Sequence, residues 1–132
     1  MKKIILSFFL IATSLFAQDP ALTLNATFTG TTALSTPINL RNCSVGGFII
    51  PTGWSAANLT FRISNDGGVT YGELKDEYNT TITVTVGSAT NVIQLTFADW
   101  FIFKNRYLII RSGTVGTPVN QTNLTVKVLC GR

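Results

Sequence analysis

The chain contains no histidine. That single absence removes both the commonest general base and the commonest metal ligand. Charge is scarce as well, at 12% of residues, and the acids are limited to Asp19, Asp66, Glu73, Asp76, Glu77 and Asp99. Nothing in their spacing sets up the facing carboxylates of a glycosidase, and there is no glycine-rich phosphate loop. Cysteine occurs at Cys43 and Cys130 alone, and with no histidine to activate it, neither reads as a nucleophile. The apolar run at the N-terminus is too short for a comfortable transmembrane helix, and no later segment stays apolar for long enough to span a bilayer. Together these absences argue against catalysis: the chain reads as non-enzymatic, with no cofactor.

What the sequence does contain is threonine, asparagine, glycine and β-branched residues, which favour pleated strands and turns. At 132 residues it is long enough for one domain with a sizeable core. Met1-Lys2-Lys3, the mostly apolar Ile4 to Phe16, and Ala17 before Gln18-Asp19-Pro20 have the layout of a signal peptide over residues 1–17; the alternative is a hydrophobic N-terminal arm that packs on a neighbouring subunit. Residues 21–132 then form a single β-sandwich domain. The net charge of +4 falls to +2 once Lys2 and Lys3 are set aside. The remaining basic residues are scattered, so neither a nucleic-acid footprint nor membrane attachment after signal removal is expected. In an exported chain Cys43 and Cys130 read as one disulfide; in a cytoplasmic one they would be buried free thiols.

Periodicity predicts strands at Leu22 to Phe28, ended by Gly30-Thr31-Thr32; at Pro37 to Leu40; and at Gly46 to Ile50, stopped by Pro51. Leu59, Phe61 and Ile63 alternate with Thr60, Arg62 and Ser64, the mark of a strand with one wet face. Asn65-Asp66-Gly67-Gly68 predicts a tight turn, followed by a return strand from Val69 to Leu74. Further strands are expected around Ile82 to Val86, from Val92 to Phe97, from Tyr107 to Arg111 with burial on both faces, and from Leu124 to Cys130. Gly87-Ser88 reads as a turn, and Asp99 as the cap of a short helical turn through Trp100 and Phe101. The expected architecture is an all-β antiparallel sandwich or jelly roll of about eight short strands. Leu59, Phe61, Ile63, Ile82, Val84, Ile109, Val126 and Val128 are expected to share its core.

Binding, if any, should use loops. Trp54, Tyr71 and Trp100 are the candidate stacking residues for a sugar ring, with Asn65 and Asp66 supplying hydrogen bonds at the rim. The ordinary alternative is that the tryptophans plug the ends of the core. Asp66 and Glu73, with Asn65 or Asp76, also offer an oxygen-rich Ca²⁺ site, against which stands simple turn chemistry.

Ser64-x-Asp66-x-Gly68-x-Thr70-Tyr71 resembles the Asp-box hairpin of sialidases and propeller proteins, where it implies a fold-stabilising turn. On a wider scale, L-S-T-P-I-N-L at Leu34 to Leu40, I-I-P-T-G-W-S-A-A-N-L-T-F at Ile49 to Phe61, S-N-D-G-G-V-T-Y at Ser64 to Tyr71, and R-Y-L-I-I-R-S-G with P-V-N-Q between Arg106 and Gln121 resemble a family of small phage and prophage virion-associated β-sandwich proteins. The turn and the following R-Y-L-I-I-R are similar, more loosely, to discoidin-like galactose-binding sandwiches. The first resemblance implies a non-catalytic virion surface subunit, capsid decoration or tail-associated, whose partners are other virion proteins and which is compatible with homo-oligomers. The second, with the export signal, implies a secreted carbohydrate-binding module whose partners are surface glycans. Localisation is accordingly virion or extracellular.

Overall fold

The computed structural model describes residues 22–41, 43–86, 91–95 and 106–131. The expected signal segment 1–17, the Gly87-Ser88 turn and the helical turn at Asp99-Trp100-Phe101 lie outside the described residues. Among those described there are nine strands. They are β1 Leu22–Thr32, β2 Ile38–Asn39, β3 Ser44–Ile49, β4 Leu59–Ser64, β5 Gly72–Glu73, β6 Thr83–Val84, β7 Val92–Gln94, β8 Tyr107–Ser112 and β9 Gln121–Gly131. They form two antiparallel sheets, one ordered β1-β9-β3-β7 and the other β2-β8-β4-β5 with β6 also on β4, so the all-β sandwich is the observed class. No helix among the described residues is long and apolar enough to cross a membrane.

Each sheet buries one side of its alternating strands. Ala26, Phe28, Val45, Phe48, Val126 and Val128 from the first sheet meet Leu59, Phe61, Ile63, Leu108 and Ile110 from the second. Phe48 stacks on Phe61 with centroids 5.5 Å apart. Ile82 and Val84 are only partly buried, packing against this core from its margin.

One expected core residue faces the other way. The β4–β8 register sets Phe61 against Ile110 and Arg62 against Ile109, which puts Ile109 on the outer face with Arg62. Ile109 is nevertheless 8% exposed. β8 is thus buried on both sides, as its unbroken apolar run predicted, and that same run hid which side faced the core.

Strand boundaries also moved, those of β1 and β5 among them. β1 does not stop at Gly30, because the Asn123 side-chain oxygen accepts the Gly30 N–H at 2.8 Å and a bulge between Phe28 and Thr31 carries pairing on to Thr32. The return from the Asp66 turn is shorter than Val69 to Leu74: only Gly72 and Glu73 form strand β5, and Val69 is 80% exposed.

The two cysteines are bonded, with Cα atoms 5.1 Å apart. Cys43 leads into β3, and the β3–β9 register sets Val45 against Cys130. The bridge therefore ties the start of β3 to the end of β9, where both strands are already paired.

Candidate functional site

The outer face of the β2-β8-β4-β5 sheet carries the polar chemistry of this molecule. Strand alternation puts Thr60, Arg62 and Ser64 of β4 on that face, beside Tyr107, Ile109 and Arg111 of β8. Glu73 of β5 pairs with Arg62, and Tyr71, two residues earlier, projects from the same side. Glu73 takes a bidentate bond from Arg111, with Nη1 to Oε2 at 2.5 Å and Nη2 to Oε1 at 2.6 Å. The Arg111 guanidinium beside Glu73, helped by Arg62 and Lys75, holds the Glu73 carboxyl below its ordinary value despite partial burial.

Arg62 lies 3.4 Å from Glu73 through Nε, a contact between opposite charges without hydrogen-bond alignment, so Nε is buried and unbonded. Its Nη2 donates to the Tyr71 carbonyl at 3.1 Å. The Arg62 side chain remains 30% exposed.

Above Arg62 the chain builds a ledge. Asn39, Tyr107 and Ser64 are lateral neighbours in the β2–β8 and β8–β4 registers, and Tyr71 precedes the β5 residue paired with Ile63. Asn39 Nδ2 donates to the Tyr107 hydroxyl at 2.9 Å. Between the two half-buried tyrosines sits Gly68, folded back from the turn. A Cβ on it would stand 3.1 Å from the Tyr71 hydroxyl and 3.2 Å from Tyr107 Cδ1, so the tyrosines approach over the one residue without a side chain. Burial raises the Tyr71 hydroxyl pKa; Tyr107 and Asp66 push the same way, against Arg62.

The turn beneath is organised by Asp66. Its carboxylate accepts the Ser64 hydroxyl at 2.6 Å, the Val69 N–H at 3.1 Å, the Thr70 N–H at 2.9 Å and the Thr70 hydroxyl at 2.5 Å. These donors, the Ser64 and Thr70 hydroxyls foremost, hold it far below the usual carboxylate range. A second acid repeats the device: Asp76 Oδ1 accepts from the Tyr78 and Thr80 N–H groups at 2.9 and 2.8 Å. That turn tips a hairpin closed by the Lys75–Thr81 bridge and presents Tyr78, 80% exposed.

Against this geometry the expected binding residues separate. Trp54 is 6% exposed, sits edge-on to Phe28 at 5.5 Å and donates its indole N–H to the Ala57 carbonyl at 3.1 Å. It is a core plug and offers no face to a ligand. It also precedes Leu59, whereas Tyr71 lies beside Ser64, so the length of β4, roughly 16 Å at the usual rise per residue, divides the two. Asp66 has committed its oxygens to its own turn, so it is a structural acceptor and no rim group. Asn65 is exposed next to it, and Trp100 lies outside the described residues. Asp66 and Glu73 do not converge as a Ca²⁺ site would require: one holds a turn, the other two arginines. Among the described residues no group of three metal-ligating side chains occurs.

Sequence reasoning found Tyr71, singled out Glu73 only as a candidate calcium ligand, and missed Tyr107, Asn39, Arg62 and Arg111. Arg62 was readable as a wet-face residue, but its partners are set by pairings between distant segments. No protein family, no characterised protein and no solved structure matches this chain, so its function is argued from this surface.

Proposed function

We propose that this protein is a non-catalytic structural or adhesive subunit of a phage-type virion surface, a capsid decoration or tail-associated protein that works by presenting a rigid sandwich surface to a partner. The observation that carries the reading is the construction of two hairpin tips. Asp66 and Asp76 each bind the backbone of their own turn, and the turns hold Val69 and Tyr78 out in water, each 80% exposed. An apolar side chain fixed on a hydrogen-bonded turn has little freedom left to lose on contact, which suits an interface anchor. The four segments that resemble virion proteins support the same assignment.

The test is co-sedimentation of the purified protein with assembled particles. Binding should fall on Tyr78→Ala with no change in melting temperature. Reproducible turnover of a substrate, abolished by a single substitution, would overturn the reading.

A second reading, a secreted bacterial carbohydrate-binding module, draws support from the Tyr71–Tyr107 ledge, whose flat rings and hydrogen-bonding rim suit a pyranose. The disulfide is compatible with an extracellular location for either reading.

A further inference from the structure

The ledge has a chemical bias of its own. Tyr71 Oη makes no hydrogen bond among the described residues. Tyr107 Oη accepts from Asn39 and keeps its own proton to donate. Arg62 stands below them with its side chain 30% exposed. At the Asn39 end the exposed Arg41 donates its backbone N–H to Asn39 Oδ1 at 3.0 Å.

The acids nearby are both occupied. Glu73 is held by Arg111 and flanked by Lys75, and Asp66 is surrounded by donors from its own turn. Beside the two tyrosines Arg62 is the partly exposed cation of the sheet face, while the Glu73 and Asp66 carboxylates are already matched by their own donors.

Resting on the adhesive reading above, we infer that the Tyr71–Tyr107 ledge binds acidic glycans, with the sugar ring against the tyrosines and its carboxylate or sulfate on Arg62. A neutral sugar would use the rings and hydroxyls but leave the guanidinium unmatched. An acid can take a charge-assisted hydrogen bond from the part of the Arg62 guanidinium that Glu73 and the Tyr71 carbonyl leave unused. A nucleic acid fits less well, because the basic residues are scattered along the sequence and give no track along which successive phosphates could lie.

The experiment measures binding of the full chain to polygalacturonate, dextran sulfate, unmodified dextran and an oligothymidylate at low and high salt, with thermal melts of every variant. Polygalacturonate should bind at least about tenfold more tightly than dextran, with the difference shrinking as salt is raised. Tyr71→Ala and Tyr107→Ala should each weaken binding without lowering the melting temperature enough to unfold the protein. Arg62→Gln should erase the preference for the acidic polymer. Arg41→Gln, on an exposed side chain outside the ion-pair cluster, should reduce it and guards against a folding defect in the first variant. Dextran sulfate binding as tightly as polygalacturonate supports the acidic ledge through either anion.

Equal binding to dextran overturns the inference while the particle assay still stands for the adhesive reading. Binding that survives both tyrosine substitutions, tighter binding to the oligothymidylate, or no glycan binding by the folded protein also overturns it.

Discussion

The carboxamide of Gln121 closes a two-point clamp on the backbone of Ser55. The Ser55 N–H donates to Gln121 Oε1 at 2.8 Å, and Gln121 Nε2 donates to the Ser55 carbonyl at 3.0 Å and to Ser112 Oγ at 2.8 Å. Gln121 is fully buried, so every polar atom of its amide is matched where water is excluded. The clamp ties the loop that carries Trp54 to the start of β9, joining two segments far apart in sequence.

Gln121→Leu should therefore destabilise the fold although it preserves approximate volume and adds apolar character. It leaves the Ser55 N–H and carbonyl without their partner, at a cost of about 1–3 kcal/mol for each group that stays buried. The urea midpoint measures this. Emission from Trp54, whose loop is released, should shift to the red at denaturant levels below the global transition; a variant with the parent's midpoint would show that water replaces the clamp.

The two glycines of the Asp66 turn separate backbone strain from crowding. Gly67 and Gly68 have φ of 75° and 89°, so alanine at either costs about 1–2 kcal/mol from the left-handed backbone. At Gly67 the new Cβ meets nothing within 4 Å, whereas at Gly68 it presses on Tyr71 and Tyr107. Gly68→Ala should lower the melting temperature more than Gly67→Ala, and it alone should disturb the ledge. Equal losses would mean that the tyrosines yield freely.

Much of the fold was legible because it follows from local chemistry. Leu59, Phe61 and Ile63 alternate against polar neighbours over a full strand, and Asp66 with its glycines specifies a turn by residues that contact one another within a few positions. Legibility failed where several explanations shared one pattern. Tyr107 to Arg111 is apolar on both faces, so nothing in it says that Ile110 points inward and Ile109 outward. Trp54 next to glycine and serine reads equally as loop aromatic and core plug; the Phe28 edge and the Ala57 carbonyl decide it, and neither is visible in sequence. The ledge was half seen for the same reason. Tyr71 belongs to a recognisable turn, but Tyr107 and Asn39 reach it through sheet register.

The opposed faces of β8 give a direct test of that register. Ile110 is fully buried between the sheets, so Ile110→Ala should cost about 2–5 kcal/mol. Ile109, on the outer face beside Arg62, lies outside the inter-sheet core, and Ile109→Ala should cost less. Chemical denaturation of the two variants orders them; the reverse order would place β8 one residue out of register.

Reduction tests the Cys43–Cys130 bridge. It spans 87 residues of sequence, and the loop-entropy model assigns a closure of that size about 4–5 kcal/mol. Because Cys43 and Cys130 also lie where β3 and β9 are paired, the sheet should survive reduction with a lowered melting temperature. The measurement is a thermal scan with and without reductant, alongside the Cys43→Ala and Cys130→Ala double variant. An unchanged melting temperature would show that the unfolded chain is already restricted by other means.

Acid should weaken the protein through Asp66 and Glu73. Both carboxyls are held below their ordinary values of 3.8 and 4.5, Asp66 by the hydroxyls and N–H groups of its turn and Glu73 by Arg111. A lowered folded-state pKa means that the unfolded chain takes up protons first. The stabilisation is therefore complete above the ordinary values and drains away as pH falls through them toward the folded-state values. Stability should be flat from pH 7 to about pH 5.5 and decline below about pH 4.5. Asp66→Asn cannot take up that proton, so its stability, lower at neutral pH, should fall less between pH 5.5 and pH 3 than the parent's does. Urea midpoints across this range supply the comparison. Parallel declines in parent and variant would remove Asp66 from the acid response and leave the Glu73–Arg111 pair to account for it.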